Sequence, residues 1–189
     1  MAKTDTENAW ITDIENIEDD VFSFTNDMLI EFDESRYVKG KTYIGTVDLN
    51  RVKGCWHPDY RGCMWGELKP VPGTLKGDRS DPIVGNQILK RVIQGARELA
   101  DNPEYYLNGD SKDHWSFYEY KGDFYIEAGV HRTVLGRYFL AANALPQEIR
   151  NISITPCMDM PCEREPSDVR SDKTFIDKVL SYFKTLFKE

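Results

Sequence analysis

The chain has 189 residues, of which 40% are hydrophobic and 12% aromatic, and its formal net charge at pH 7 is −8. This length and composition are typical of one globular domain with a sizeable core. No apolar run approaches the roughly 20 residues that span a bilayer. The first residues also lack the apolar segment of a secretion signal. We therefore expect a cytoplasmic protein without a transmembrane segment.

The charge is distributed unevenly along the chain. Residues 1–35 contain eleven acidic residues and one lysine, whereas residues 36–97 contain twelve lysines and arginines against five acidic residues. The net charge disfavours nucleic acid as a partner, but a local basic surface can still meet phosphates. Basic residues scattered over a solvated surface would produce the same count, so both interpretations stay open.

The first part of the chain predicts an arm followed by short strands. Residues 1–20 are acidic and have few apolar anchors, which favours a weakly ordered or loosely docked arm. Residues 21–25 and 28–32 have strand-like composition, and the Asn-Asp pair between them favours a turn. Residues 43–49 are the strongest strand candidate of the first half.

Residues 54–66 are rich in glycine and aromatic residues, which predicts an ordered loop or a short hairpin. Packing of Trp56 and Trp65 over the core is the favoured interpretation. The alternative is a recognition surface that these tryptophans form with His57, because loops often carry function.

Four cysteines, Cys55, Cys63, Cys157 and Cys162, raise the possibility of a metal site. The pairs are separated by seven and four residues, which is not the spacing of the tight pairs found in structural zinc sites. A disulfide framework is also improbable in a cytoplasmic chain of this size. Reduced thiols are the favoured interpretation.

Residues 115–143 contain the clearest pattern in the chain. Two runs of aromatic and β-branched residues flank Lys121-Gly122-Asp123, which predicts a β-hairpin with glycine in the turn. After Gly129 the apolar residues recur at steps of three and four, which predicts a helix. They are Val134, Leu135, Tyr138, Phe139 and Ala142.

Further elements are predicted on both sides of this stretch. Asp81 and Pro82 favour the start of a helix that continues to Ala100. Residues 149–155 predict a strand, and residues 172–189 an amphipathic helix, with core packing favoured over a partner or membrane surface. The expected fold class is α+β, a mixed β-sheet with flanking helices. We expect an arm at 1–20, a single domain at 21–155, and at 156–189 a linker and a C-terminal helix packed on that domain.

The turn at Gly129 combines two features that attract anions. The first N–H groups of a helix have no partner within it, and the helix dipole places partial positive charge there. His131 and Arg132 follow at this end, so a phosphate would meet oriented amides and a bidentate guanidinium. The structural alternative is that Arg132 pairs with an acidic neighbour and His131 only caps the helix.

The tetrapeptide Gly129-Val130-His131-Arg132, after a strand and before a helix, resembles the signature turn of the ParB/sulfiredoxin superfamily. ParB proteins have Gly-Glu-Arg-Arg at this turn, and sulfiredoxins have Gly-Cys-His-Arg. The strand predicted at 149–155 also resembles the next element of that superfamily, so the resemblance covers residues 82–155. The length and the acidic N-terminus are most similar to the plasmid fertility-inhibition proteins with oncogenic suppression activity within it.

This resemblance implies a ParB/sulfiredoxin-like fold and a plasmid-encoded inhibitor of conjugative or T-DNA-type transfer. It implies action through nucleotide hydrolysis and DNA cleavage, as a nucleoside triphosphatase, a DNA nuclease or both. The implied ligands are ATP or another nucleotide, DNA, and Mg²⁺ or a similar divalent cation. A component of a conjugation or type IV secretion apparatus is the implied protein partner, which would bring the protein to the periphery of the inner membrane. The alternative is a non-catalytic inhibitor that binds this machinery through the acidic arm or the terminal helix.

The resemblance also assigns roles to residues, with one departure at Val130. The expected catalytic residues are Glu127, His131 and Arg132; the expected phosphate-binding residues are Gly129, His131, Arg132 and Thr133; and the expected metal ligand is Glu127. Val130 stands where sulfiredoxins have the catalytic cysteine, which excludes sulfinic acid reduction through that thiol. Val130 also replaces the ParB glutamate, and the sequence shows no second nucleotide motif and no helix-turn-helix, which argues against a centromere-binding CTP clamp.

Overall fold

The structure is a computed structural model and describes residues 10–69, 95, 98, 99 and 101–160. The seven strands are β1 (Ile30–Glu31), β2 (Tyr37–Lys39), β3 (Tyr43–Asp48), β4 (Val52–Cys55), β5 (Ser116–Tyr120), β6 (Asp123–Ala128) and β7 (Glu148–Asp159). The two α-helices with defined bounds are α1 (Trp65–Leu68) and α2 (Val130–Ala142). Short 3-10 turns occur at Ile14–Asn16, Asp19–Val21, Glu34–Arg36, Leu49–Arg51 and Pro103–Tyr106.

All seven strands belong to one mixed sheet, in the order β1-β4-β6-β5-β7-β2, and β3 also pairs with β7. The pairs β1–β4, β4–β6 and β5–β7 are parallel, whereas β5–β6, β2–β7 and β3–β7 are antiparallel. The expected α+β class with a mixed sheet is therefore confirmed. The first compact unit of the chain is Met1–Asp159 and holds every element described here; of the second unit, Met160–Glu189, only Met160 is among the described residues.

The hairpin predicted around Lys121 and Gly122 is confirmed. These two residues have φ angles of 52° and 83°, and β5 and β6 pair on either side of them with Tyr120 opposite Asp123. A two-residue turn with two positive φ angles twists in the same sense as the strands that it joins. The predicted strands at 43–49 and 149–155 are confirmed as β3 and β7, and β7 continues four residues further, to Asp159.

The predicted helix after Gly129 is confirmed as α2 and is buried on most of its surface. Nine of its thirteen residues are buried: Val130, Thr133, Val134, Leu135, Gly136, Arg137, Tyr138, Phe139 and Leu140. It packs on the face of the sheet that presents Phe117, Phe124 and Ile126. Because side chains alternate along a strand, Tyr118 and Tyr125 point to the other face, where they stack around Phe32.

Residues 10–20 of the predicted arm dock on the main core. Ile14 is fully buried, and the Trp10 ring contacts Phe139 edge-on with 6.2 Å between ring centroids. The backbone of Ile11 exchanges two hydrogen bonds with the Asn143 side chain, of 2.8 and 2.9 Å. Of the two alternatives for the arm, docking thus describes these residues; residues 1–9 lie outside the described part of the chain.

Two predictions for the first half are wrong. Residues 21–25 form turns instead of a strand, because local hydrogen bonds such as Thr25 N–H to the Phe22 carbonyl (3.4 Å) close the backbone on itself. Trp56 is 44% exposed, whereas Trp65 is fully buried as expected. The strand predicted at residues 28–32 is shorter in the structure. It consists of β1 and of an isolated β-bridge between Met28 and Met64.

Several predicted elements fall largely or wholly outside the described residues. Gly95, Glu98 and Leu99 are helical, which agrees with the helix predicted at 82–100, whose other residues lie outside. The C-terminal helix predicted at 172–189 also lies outside. Among the helices of the described residues, none is long and apolar enough to cross a membrane.

The conformation of Gly129 yields a stability prediction with a matched control. Gly129 has a φ of 87°, and a Cβ added there would lie 2.6 Å from Trp115 Cδ1. Gly62 has a φ of 82°, but a Cβ added there would meet open space. We expect Gly62→Ala to lower the free energy of unfolding by about 1 kcal/mol through backbone strain alone. Gly129→Ala should cost about 2 kcal/mol more, because the indole ring must also move. Urea denaturation of both variants measures the difference, and equal losses would contradict the packing role of Trp115.

Candidate functional site

The turn between β6 and α2 is fixed by three residues. Gly129 adopts a left-handed conformation, and its carbonyl accepts hydrogen bonds from the Thr133 N–H (2.9 Å) and from Thr133 Oγ1 (3.0 Å). Trp115 Nε1 in turn donates to Thr133 Oγ1 at 2.9 Å. This network of hydrogen bonds orients the start of α2.

Thr133 does not have the role that the sequence predicted for it. Its side chain is fully buried, and its hydroxyl already donates to Gly129 and accepts from Trp115. A phosphate cannot reach this hydroxyl in the observed arrangement. The expected phosphate contact of Thr133 is therefore corrected: the residue joins the strand-to-helix turn to the core.

Arg132 is held at the edge of the core by uncharged groups. Its guanidinium donates to the Tyr105 hydroxyl at 3.1 Å, to the Asp113 carbonyl at 2.9 Å and to the His114 carbonyl. Its central carbon also lies 5.3 Å from the centre of the Trp115 ring. Among the described residues, no carboxylate lies within ion-pair distance of this guanidinium. Within the described part of the chain, neutral acceptors and an aromatic ring thus hold this guanidinium in place.

Arg132 and His131 line a cavity of about 480 Å³. The other described residues that line it belong to the helical segment around position 98, to the 3-10 turn Pro103–Tyr106 and the residue before it, and to α2. They are Gly95, Glu98, Leu99, Asn102, Tyr105, Tyr106 and Leu135. The described part of the wall thus combines apolar and aromatic side chains with Arg132 and Glu98. Burial raises the pKa of the Tyr106 hydroxyl, so this side chain stays neutral.

His131 is connected to the loop that follows β4. Its Nε2 lies 2.6 Å from the Tyr60 hydroxyl, and the two ring planes are nearly perpendicular, at 83°. The Tyr60 ring lies 5.0 Å from the His57 ring, so an aromatic row leads from this loop to the cavity. His57 itself does not line the cavity.

Glu127 is not brought together with His131 and Arg132. It follows Ile126, which faces the α2 side of the sheet, and so points to the opposite face. There it accepts a hydrogen bond from the Tyr118 hydroxyl at 2.9 Å, and this hydroxyl also contacts Glu34. Burial, followed by these two carboxylate contacts, raises the pKa of Tyr118.

The geometry therefore divides the expected site residues into two groups. His131 and Arg132 line the cavity from the start of α2, whereas Gly129, Thr133 and Glu127 are not among the described residues that line it. Val130, at the centre of the motif, is 5% exposed and belongs to the main core. Its side chain thus has a packing role where the superfamily motif carries a functional group.

The metal prediction for Glu127 has little support from its surroundings. In the described part of the chain, no three His, Cys, Asp or Glu side chains are grouped closely enough to hold a metal ion. Cys55, Cys63 and Cys157 are free thiols, and burial raises the pKa of Cys55 to about 12. These three agree with the interpretation as reduced thiols; Cys162 lies outside the described residues.

Sequence reasoning missed Tyr60 and Tyr105, whose hydroxyls contact His131 and Arg132. Both lie far from the motif in sequence, 71 and 27 residues from the side chains that they contact. No periodicity or spacing signals such contacts. The only indication was their place in segments rich in aromatic residues and turn formers.

No protein-family model, curated protein or solved structure matches this chain.

The role of Thr133 can be tested by an isosteric substitution. Thr133→Val keeps the shape but removes the acceptor of the buried Trp115 N–H and the donor to Gly129. We expect a loss of about 1–3 kcal/mol in the free energy of unfolding, because a buried donor is left without a partner. Denaturant titration measures it. Thr46→Val, at an exposed position of β3, is the control and should change stability by less than about 0.5 kcal/mol. A Thr133→Val variant as stable as the control would contradict this role.

Proposed function

We propose that this chain is a plasmid-encoded fertility-inhibition factor that binds a nucleotide in the cavity beside α2 and blocks conjugative or T-DNA-type transfer. In this proposal it acts as a nucleoside triphosphatase, a DNA nuclease or both. Its partners are DNA, ATP or another nucleotide, and a component of a conjugation or type IV secretion apparatus. The transfer inhibition and the DNA partner rest on the resemblance of the Gly129–Arg132 motif; nucleotide binding has support from the cavity.

The main support for nucleotide binding is the environment of the Arg132 guanidinium. A partly buried guanidinium without a carboxylate partner among the described residues retains its attraction for an anion. Three neutral acceptors hold it in place, so little conformational entropy is lost when a ligand binds. Arg132 also lies in the first turn of α2, where the helix dipole places partial positive charge.

The remainder of the cavity suits the rest of a nucleotide. A volume of about 480 Å³ lies within the range of small-molecule sites, and Tyr105, Leu99 and Leu135 offer apolar surface to a base. A ligand would direct its phosphates to the guanidinium of Arg132 and its base to these apolar residues.

For hydrolysis, the described residues supply charge stabilisation more readily than a base. Arg132 can stabilise negative charge that develops on transferred phosphoryl oxygens. Glu127 cannot serve as a base or metal ligand there, because it points to the other face of the sheet and is bonded to Tyr118. The cavity therefore does not include Glu127, the residue that was expected to bind Mg²⁺.

We also propose that the fold is ParB/sulfiredoxin-like. The support is local: a strand (β6), a left-handed glycine, a helix (α2) and a returning strand (β7) follow each other in the order that the superfamily motif requires. The guanidinium directly after this glycine turn lines the cavity, as a phosphate-binding motif needs.

Val130 favours a second candidate, a non-catalytic inhibitor that binds a component of the transfer machinery. Its aliphatic side chain offers neither a nucleophile nor a base at the centre of the motif, and it is buried in the core. Glu127 is also turned away from the cavity. In this alternative the nucleotide acts only as a ligand, and inhibition depends on the surface of the protein.

Substituting Arg132 tests nucleotide binding directly. We expect Arg132→Gln to weaken ATP binding by about 10- to 100-fold, since a charge-assisted hydrogen bond contributes about 1.5–3 kcal/mol. Isothermal titration calorimetry with the full-length protein measures the affinity. Arg36→Gln, which removes an exposed arginine outside the cavity, is the matched control and should bind ATP like the wild type.

Two further measurements separate the candidates. Mg²⁺-dependent ATP hydrolysis and DNA cleavage that fall in Arg132→Gln but persist in Arg36→Gln would support the enzyme. Plasmid transfer that remains fully inhibited by Arg132→Gln would favour the binding protein. Wild-type protein that binds no ATP, or binds it as well as a folded Arg132→Gln variant, would refute the nucleotide site.

A further inference from the structure

We propose that Tyr105 is a ligand-binding residue whose hydroxyl donates its proton to the same phosphate oxygens that Arg132 attracts. For the identity of the ligand, this inference rests on the proposed nucleotide site. The arrangement of the two side chains does not depend on that proposal. A phosphate in the cavity would thus meet an O–H donor beside the guanidinium.

The direction of the hydrogen bond between Tyr105 and Arg132 is fixed by the chemistry of the guanidinium. Arg132 Nη1 lies 3.1 Å from the Tyr105 hydroxyl oxygen. A guanidinium has N–H donors and no acceptor, so the hydroxyl oxygen accepts and its own proton takes no part in this contact. Within the described part of the chain, Arg132 is the one hydrogen-bond partner of this hydroxyl. The Tyr105 O–H therefore remains a donor for a ligand.

Arg132 keeps donors for the same ligand. Of the five N–H groups of a guanidinium, three donate to neutral oxygens: the Tyr105 hydroxyl and the carbonyls of Asp113 and His114. The other two have no acceptor among the residues that the structure describes. Because Arg132 and Tyr105 both line the cavity, these N–H groups and the Tyr105 O–H belong to one part of its wall.

The Tyr105 ring is held in place by its neighbours. It lies parallel to the Trp115 ring, with 6.3 Å between the ring centroids and 4° between the planes. It also meets the Tyr106 ring edge-on, at 5.1 Å and 89°. The half-buried side chain thus loses little conformational entropy when its hydroxyl binds a ligand.

Two cations strengthen the Tyr105 hydroxyl as a donor. Arg132 donates to its oxygen, and a hydroxyl that accepts a hydrogen bond is polarised and donates more strongly. The Lys112 ammonium lies 5.4 Å from the centre of the Tyr105 ring and adds positive potential. A phosphate, which offers several anionic acceptor oxygens, suits this group of donors better than a base or a sugar does.

Removing the hydroxyl tests this role while the ring stays in place. In calorimetric titrations of the full-length protein, we expect Tyr105→Phe to bind ATP and inorganic pyrophosphate each about tenfold more weakly, because a hydrogen bond to a charged group is lost. Tyr43→Phe is the matched control, since it removes a hydroxyl of β3 that contacts Glu119 outside the cavity. It should bind both ligands like the wild type. Unchanged affinities in a folded Tyr105→Phe variant would overturn the inference.

NMR distinguishes a direct contact from an effect that acts only through the position of Arg132. The ¹³Cζ signal of a tyrosine moves downfield when its hydroxyl donates to an anion, and a protein labelled at this atom has ten such signals. We expect the Tyr105 signal to move downfield as pyrophosphate binds and the Tyr43 signal to stay. A stationary Tyr105 signal at saturating pyrophosphate would contradict the contact. With backbone-based assignment the measurement needs only wild-type protein, so it decides the point even if Tyr105→Phe does not fold.

This inference and the nucleotide site can fail separately. Pyrophosphate binding that depends on the Tyr105 hydroxyl, without binding of ATP, would refute the nucleotide site and leave the role of Tyr105 intact. ATP binding that falls in Arg132→Gln but not in Tyr105→Phe would support the nucleotide site and refute the role of Tyr105. Wild-type protein that binds neither ligand would overturn both.

Discussion

The contact of Trp115 with the glycine turn is the constraint on which the rest of the site depends. The indole ring lies so close to Gly129 that no side chain fits there, and its N–H reaches Thr133 one helical turn later. One ring thereby fixes both the position of the turn and the direction of α2. Because the ring itself is 1% exposed, the main core holds this geometry rigid.

The same ring also positions the cation of the site. Arg132 lies over the Trp115 indole and donates to the carbonyls of the two residues before it, Asp113 and His114. These carbonyls belong to a loop that Lys112 closes: its buried ammonium donates to the Asn108 and Asp110 carbonyls, both at 3.0 Å. The guanidinium is thus held by backbone groups that cannot neutralise it. An ion pair would fix it equally well but would remove its attraction for an anionic ligand.

Much of the local structure follows from the sequence, since it is set by short-range chemistry. The two-residue turn at Lys121 and Gly122, the glycine before α2 and the apolar spacing of α2 all act within a few residues. The fold class also follows from these elements. Residues 21–25 show the limit, because aromatic content indicated a strand where both phenylalanines, Phe22 and Phe24, reach the core from turns.

The composition of the site could be predicted only in part, because long-range packing decides it. Gly129, His131 and Arg132 are adjacent in sequence, so their proximity was certain once the helix began at Val130. Glu127 precedes the turn by two residues, and strand alternation sends it to the other face. Tyr60 enters the site from a distant loop and carries no local signal. The alternation of side chains along β6 can be read from the sequence. It places Glu127 on the opposite face of the sheet from Ile126 and therefore away from the site.

Two arginines of α2 show how the surroundings decide the function of a residue type. Arg137 lies five residues after Arg132, but its guanidinium is enclosed between Phe24 and Trp65, at 4.1 and 4.3 Å from their ring centres. Burial lowers its pKa to about 10, and Asp27 lies 3.8 Å away. Both are held against aromatic rings, yet only Arg132 lines the cavity, and only Arg137 has a carboxylate nearby among the described residues. The two arginines of α2 thus have different surroundings: Arg132 lines the cavity, and Arg137 joins the helix to the core.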